Sequence, residues 1–205
     1  VIATLAMEAK KHENKNAEIE NIIVTGDMDT LQLVDEHTKI YSFRKGFSDI
    51  VIYDEKAVQE KYGLRPDQMI DYKALRGDPS DNIPGVRGIG EKTAVELLKR
   101  FGTLEDIYKN VSTISGRVGE LLKEHKSDAT LGKILVTLKS DVPIEITLED
   151  CKVPGQDKTR LREVFEKFGF KNLVARMQEN VPATKESQKQ TAQLFGSAPV
   201  LQESQ

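Results

Sequence analysis

Residues 75–94 read Leu-Arg-Gly-Asp-Pro-Ser-Asp-Asn-Ile-Pro-Gly-Val-Arg-Gly-Ile-Gly-Glu-Lys-Thr-Ala, and the second part, Ile83 to Ala94, decides how the rest of the chain is read. Gly88 and Gly90 flank Ile89 in a tight turn. Beyond it, Ala94, Leu97, Leu98 and Phe101 fall on one face of a helix expected over Glu91–Phe101. A helix expected from Pro66 to about Arg76 precedes the turn, so the whole is a helix-hairpin-helix pattern spanning about 83–101. Glycines carry no Cβ, and such a backbone can approach a phosphate closely. The N–H groups opening the Glu91 helix point the same way and make an anion site. Arg87 and Lys92 add positive charge. Arg87, Gly88, Ile89, Gly90, Lys92 and Thr93 are therefore candidate nucleic-acid-binding residues, holding the phosphate backbone without reading sequence. The competing reading is a plain turn linking two helices. No strand precedes the glycines, so a dinucleotide-binding loop is excluded.

Immediately upstream lies Gly77-Asp78-Pro79-Ser80-Asp81-Asn82. If Pro79 opens a helical turn, Asp78 and Asp81 share a face. An ordinary N-cap, with Asp78 as cap and Pro79 first in the turn, explains the same residues. A second acidic pair stands in Thr25-Gly26-Asp27-Met28-Asp29, at the C-terminal end of an expected parallel strand, Ile22 to Val24. That edge is where open α/β sheets bind ligands. Asp27 as a turn cap is the alternative. Together, Asp27, Asp29, Asp78 and Asp81 are candidate metal-ligating and catalytic residues. Gathered carboxylates repel unless a cation neutralises them, and oxygen donors without His or Cys suit Mg²⁺ or Mn²⁺. Spacing alone does not say whether the two pairs meet.

Elsewhere, Val1–Lys11 has Ile2, Leu5, Ala6 and Ala9 at helical spacing. Leu31–Val34 reads as a helical turn. Lys39–Phe43 and Asp49–Tyr53 read as strands joined by a turn around Gly46. Asp54 caps a helix closed by Tyr62-Gly63, and Gly102-Thr103 ends one helix and caps another. Leu131, Ile134, Leu135 and Leu138 mark a further helix, as do Leu161, Val164, Phe165 and Phe168. The pattern is α/β over 1–62 and helical over 63–178. Residues 179–205, rich in Gln, Ser and Thr, read as a disordered tail or linker.

Composition sets wide bounds. Of 205 residues, 38% are hydrophobic, enough for a core, and no apolar run is long enough to span a bilayer. The net charge of −3 neither announces nor excludes a nucleic-acid partner. The single cysteine, Cys151, rules out an intrachain disulfide or a multi-cysteine zinc site and suits a reducing cytoplasm. No secretory signal opens the chain. His12, His37 and His125 are scattered, which gives no support to a catalytic triad.

Thr-Gly-Asp-x-Asp at 25–29, Lys-Tyr-Gly-Leu-Arg-Pro-Asp-Gln-Met at 61–69 and the string at 75–94 resemble the 5′-nuclease domain of bacterial DNA polymerase I, a relative of the flap endonucleases. The resemblance covers about Val1 to Met177. It implies the C-terminal part of a PIN-like (resolvase-like) α/β core followed by a helical subdomain carrying the hairpin. It implies removal of 5′ flaps and RNA primers from flapped, nicked or gapped DNA in the bacterial nucleoid, by hydrolysis with two divalent ions. It also implies K⁺ held by carbonyls at the hairpin, and a polymerase domain in the same parent chain. In that family the other carboxylates come from a first strand, an arch and a Glu-x-Asp-Asp motif upstream of the segment that Val1–Ala6 resembles. The chain as given is thus expected to cut DNA poorly alone. A non-catalytic DNA-binding module and a helical scaffold without DNA affinity are the competing hypotheses.

Overall fold

The computed structural model describes residues 1–11, 19–43, 50–147, 149–153 and 155–178. The turn expected at Gly46, His12 and the tail at 179–205 lie outside them. Two compact units divide the chain at 148/149.

The first unit opens with helix α1 (Ile2–Lys11). A three-stranded sheet follows, ordered β1 (Asn21–Val24), β2 (Thr38–Phe43), β3 (Ile50–Tyr53). β1 runs parallel to β2 with Asn21 opposite Thr38 and Val24 opposite Tyr41. β3 returns antiparallel with Tyr53 opposite Ile40. The parallel pairing agrees with the sequence reading, and the strand is only partly buried. Only Ile23 is buried, and Val24 is 58% exposed. The turn at 31–34 is a 3₁₀ segment, Met28–Leu33.

Helices follow, and local chemistry sets their ends. Asp54 accepts the Ala57 N–H at 2.7 Å and so caps α2 (Glu55–Tyr62), which Gly63 closes. Pro66 starts a 3₁₀ turn leading into α3 (Met69–Arg76). The buried Gln68 amide donates to the Leu98 and Gly102 carbonyls at 3.3 and 2.9 Å, tying the start of α3 to the end of α4 (Glu91–Phe101). Thr103 caps α5 (Leu104–Lys109); α6 (Gly116–Glu124) and α7 (Lys126–Val136) complete the unit. One hydrophobic cluster runs from Ala6 and Ile40 through Leu75 and Leu98 to Leu122 and Ala129, so the change from strands to helices near residue 62 does not interrupt the core.

Two helix faces differ from expectation. In α1 the buried residues are Ala3, Thr4, Ala6 and Ala9, while Ile2 is 49% exposed. In α7 the apolar row Leu131, Ile134, Leu135 faces solvent at 51, 67 and 57% exposure. The buried row is Ala129, Gly132 and Val136. A Cβ on Gly132 would lie 3.3 Å from Ile83 and 3.5 Å from the Ala74 backbone. Close approach of α7 to α3 thus selects the small side chains. Leu138 lies beyond the helix and donates its N–H to Gln32 at 3.0 Å.

The second unit pairs α8 (Lys158–Lys167), capped by Asp157, with α9 (Lys171–Gln178). Phe165 and Phe168 meet Phe170 at ring separations of 6.2 and 6.1 Å. Among the described residues no helix is long and apolar enough to cross a membrane.

A candidate metal centre beside a glycine turn

The two acidic motifs meet only in part. Asp29, Asp78 and Asp81 each offer an oxygen, and the three oxygens lie within 4.8 Å of one another. Asp27 is not among them. Its carboxylate accepts the Asp29 N–H at 2.9 Å and caps the 28–33 turn, its own N–H is held by the Thr25 hydroxyl at 3.0 Å, and its side chain faces solvent. That bond directs Asp29 inward: the strand fixes Thr25, the cap fixes the turn, and the turn aims the second aspartate at α3.

Asp78 does two things at once. It caps the Pro79–Asp81 turn by accepting the Ser80 N–H at 3.0 Å, and its other oxygen lies 2.8 Å from Lys73 Nζ. Lys73, in α3, also pairs with Asp29. It is a residue that sequence reasoning missed; its sole signal is a lysine five places ahead of Asp78. Burial would push the Asp78 carboxyl up, but hydrogen bonds from Lys73 and Ser80 and the charge of Lys73 outweigh it and hold the carboxyl down at about 2. Asp78 is therefore ionised at neutral pH, as a cation ligand must be. Its donors are all carboxylate oxygens, which fits a hard divalent ion.

The hairpin turn begins at Val86, four residues after Asn82. The Val86 N–H bonds to the Leu75 carbonyl at 2.8 Å and the Ile89 N–H to the Val86 carbonyl at 2.9 Å. Ile89 is the anchor, 4% exposed in the core. The flanking Gly88 and Gly90 face solvent, as do Arg87 and Lys92, while Thr93 is half-buried. Gly90 caps α4 without a side chain, so no side-chain cap occupies the first-turn N–H groups of that helix. Behind the turn stands α6: a Cβ on Gly88 would lie 2.9 Å from Leu121.

A second ion-pair group, also unforeseen, is structural. Buried Asp71 accepts the Leu104 N–H at 2.9 Å and lies 2.7 Å from Lys133 Nζ, which also holds Glu105 at 2.7 Å. His37 and His125 are paired locally with Glu36 and Asp128. Cys151 is exposed.

Residues 64–159 match the family described as 5′-3′ exonuclease, C-terminal SAM fold. The chain is 41% identical over 179 residues to DNA polymerase I of Bacillus caldotenax, covering 87% of this chain and 20% of that protein. It is 42% identical over 165 residues to DNA polymerase I of Caldicellulosiruptor bescii, covering 80% and 19%. The chain thus spans about a fifth of the length of these curated relatives. Among solved structures, a bacteriophage T5 5′-exonuclease with bound zinc ions is 24% identical, with a TM-score of 0.55 over 66% of this chain and 48% of that one. A T5 flap endonuclease complexed with DNA and metal ions is likewise 24% identical with a TM-score of 0.55, covering 66% and 48%. At that identity the two share the fold.

Proposed function

We propose, from the match of residues 64–159 to the 5′-3′ exonuclease C-terminal family and the 41% identity over 179 residues to a DNA polymerase I, that this chain forms the metal-binding and duplex-holding part of a structure-specific 5′-nuclease. The observation that carries the proposal is the convergence of Asp29, Asp78 and Asp81 beside an exposed glycine turn. Those three carboxylates would hold divalent ions, Mg²⁺ or Mn²⁺. A bound ion would lower the pKa of a coordinated water and offset the charge that builds at phosphorus. Asp27 acts through its cap, keeping Asp29 aimed at the group. Lys73 pairs with Asp29 and Asp78 while no cation is bound. The N–H groups at Gly88–Gly90, with Arg87, Lys92 and Thr93, hold the duplex backbone, and turn carbonyls would take K⁺. The substrate class is flapped, nicked or gapped DNA in the bacterial cytoplasm, and a polymerase domain in the same protein is its expected companion.

One observation favours a second reading. Lys73 already balances two of the three carboxylates from within, as it would in a non-catalytic binding module. Asp78→Asn and Asp81→Asn separate the two. The nuclease reading expects each to abolish Mn²⁺ binding, followed by electron paramagnetic resonance, and cleavage of a 5′-flapped duplex by the full-length protein, with duplex affinity held within about threefold, since phosphate contacts lie elsewhere. Unchanged Mn²⁺ binding or cleavage in both variants would leave only the binding module.

A further inference from the structure

Gly77 and Gly85 lie back to back. A Cβ on Gly85 would sit 2.2 Å from the Gly77 nitrogen and 2.6 Å from the Arg76 carbonyl carbon; one on Gly77 would sit 2.7 Å from the Ile83 oxygen. Both residues have positive φ, +83° at Gly77 and +59° at Gly85. Between them the chain closes on itself. Asp78 and Ile83 exchange both N–H···O bonds at 2.9 Å, and Asn82, at the tip, is the only non-glycine residue with positive φ among those described. Just past Gly85, the Val86 N–H bonds back to Leu75 at 2.8 Å. The result is a ring pinned at both ends to the last turn of α3. It carries two of the three cluster carboxylates, Asp78 and Asp81, and its exit strand leads after three residues into Gly88.

We propose that Gly77 and Gly85 are positioning residues that fix the offset between the carboxylates and the phosphate-holding turn, and thereby which phosphodiester reaches the metal site. Buried Ile83 and Ile89 anchor the ring and the turn in the core, and the contact of the two glycine backbones sets how closely the ring lies on α3. Ordinary contact begins at 3.4 Å, so a Cβ at Gly85 must drive the strands apart by about 1 Å. A displacement of about 1 Å at a reacting centre can lower a rate about 100-fold. Neither the phosphate contacts nor the carboxylates are themselves altered. The ring is thus expected to act on turnover rather than on binding.

The inference rests on the nuclease reading, and the test separates the two. Single-turnover cleavage of a 5′-flapped duplex by the full-length protein is measured at saturating enzyme, with cut positions read on a sequencing gel. Duplex and Mn²⁺ affinities are measured alongside. For Gly85→Ala the expected result is a rate about 100-fold lower, cuts spread to neighbouring phosphodiesters, and both affinities within about threefold. A milder variant, Asn82→Gly, loosens the tip of the ring without adding an atom, and is expected to show a smaller change of the same kind. If Gly85→Ala does not fold, the Asn82→Gly result decides between the outcomes. Wild-type rate and cut pattern in the folded variants overturn the positioning role alone. So does loss of both affinities in step with the rate, which marks general damage. A wild-type protein that neither binds Mn²⁺ nor cuts overturns the nuclease reading, and the ring's role with it.

Discussion

Replacing Lys73 by methionine removes one ammonium from among three carboxylates and leaves the aliphatic stem in place. Lys73, Asp29 and Asp78 are each under 15% exposed at their side chains, so solvent screens the group weakly. The drop of the Asp78 carboxyl from its ordinary 3.8 to about 2 is worth about 2 kcal/mol of folding stability. A carboxyl with a depressed folded-state value contributes that stability fully above its ordinary value and loses it as pH falls toward the depressed one. The wild-type chain should therefore lose about 2 kcal/mol from this group between about pH 4 and pH 2. In Lys73→Met the burial that opposes the shift acts unopposed by the ammonium, and Asp29, Asp78 and Asp81 repel within 4.8 Å. The Asp78 carboxyl should rise instead of fall. The variant should lose about 2 kcal/mol or more at neutral pH and regain part of it on mild acidification, which reverses the sign of the slope. Urea unfolding at constant ionic strength, from neutral pH down to about pH 3, reads both effects. Mn²⁺ should then raise the unfolding midpoint more in the variant than in wild type, because the ion no longer competes with an internal cation. Equal midpoints at neutral pH and an unchanged acid limb would refute the reasoning.

Other expectations follow from the same geometry. Leu98→Ala, at a fully buried position, should cost about 2–5 kcal/mol in urea unfolding. Lys133→Met strands the buried Asp71 charge and should cost about 2 kcal/mol, tempered because Lys133 is 30% exposed; adding Asp71→Asn should recover part of that loss. The Lys133 bond also holds the Glu105 carboxyl below its ordinary 4.5. The stability it lends is present above that value and lost on acidification, so Lys133→Met should shorten the acid limb there. Lys92→Glu, at an exposed site, should weaken binding to duplexes of every sequence alike. Fluorescence titration at several salt concentrations should show the dependence of log affinity on log salt reduced by about one or more.

What was legible from residue order alone was short-range. Asp54 and Gly63 bracket α2, Thr103 reopens a helix after Gly102, and Gly88-Ile89-Gly90 turns into α4, because caps and turns depend on neighbours a few residues away. The two acidic pairs likewise stand out in the sequence, because each is a run of a few residues. Tertiary structure decided the rest. Asp29 reaches Asp78 and Asp81 while Asp27 turns outward, since packing of the 28–33 turn against α3 admits one of the two carboxylates. The lysine between Asp29 and Asp78 left no pattern to read, because a pair formed across the fold has no spacing. The outward face of α7 makes the same point. A 3.6-residue period says that a helix has an apolar side, but only the neighbour that comes closest, here α3 at Gly132, determines which side the core can accept.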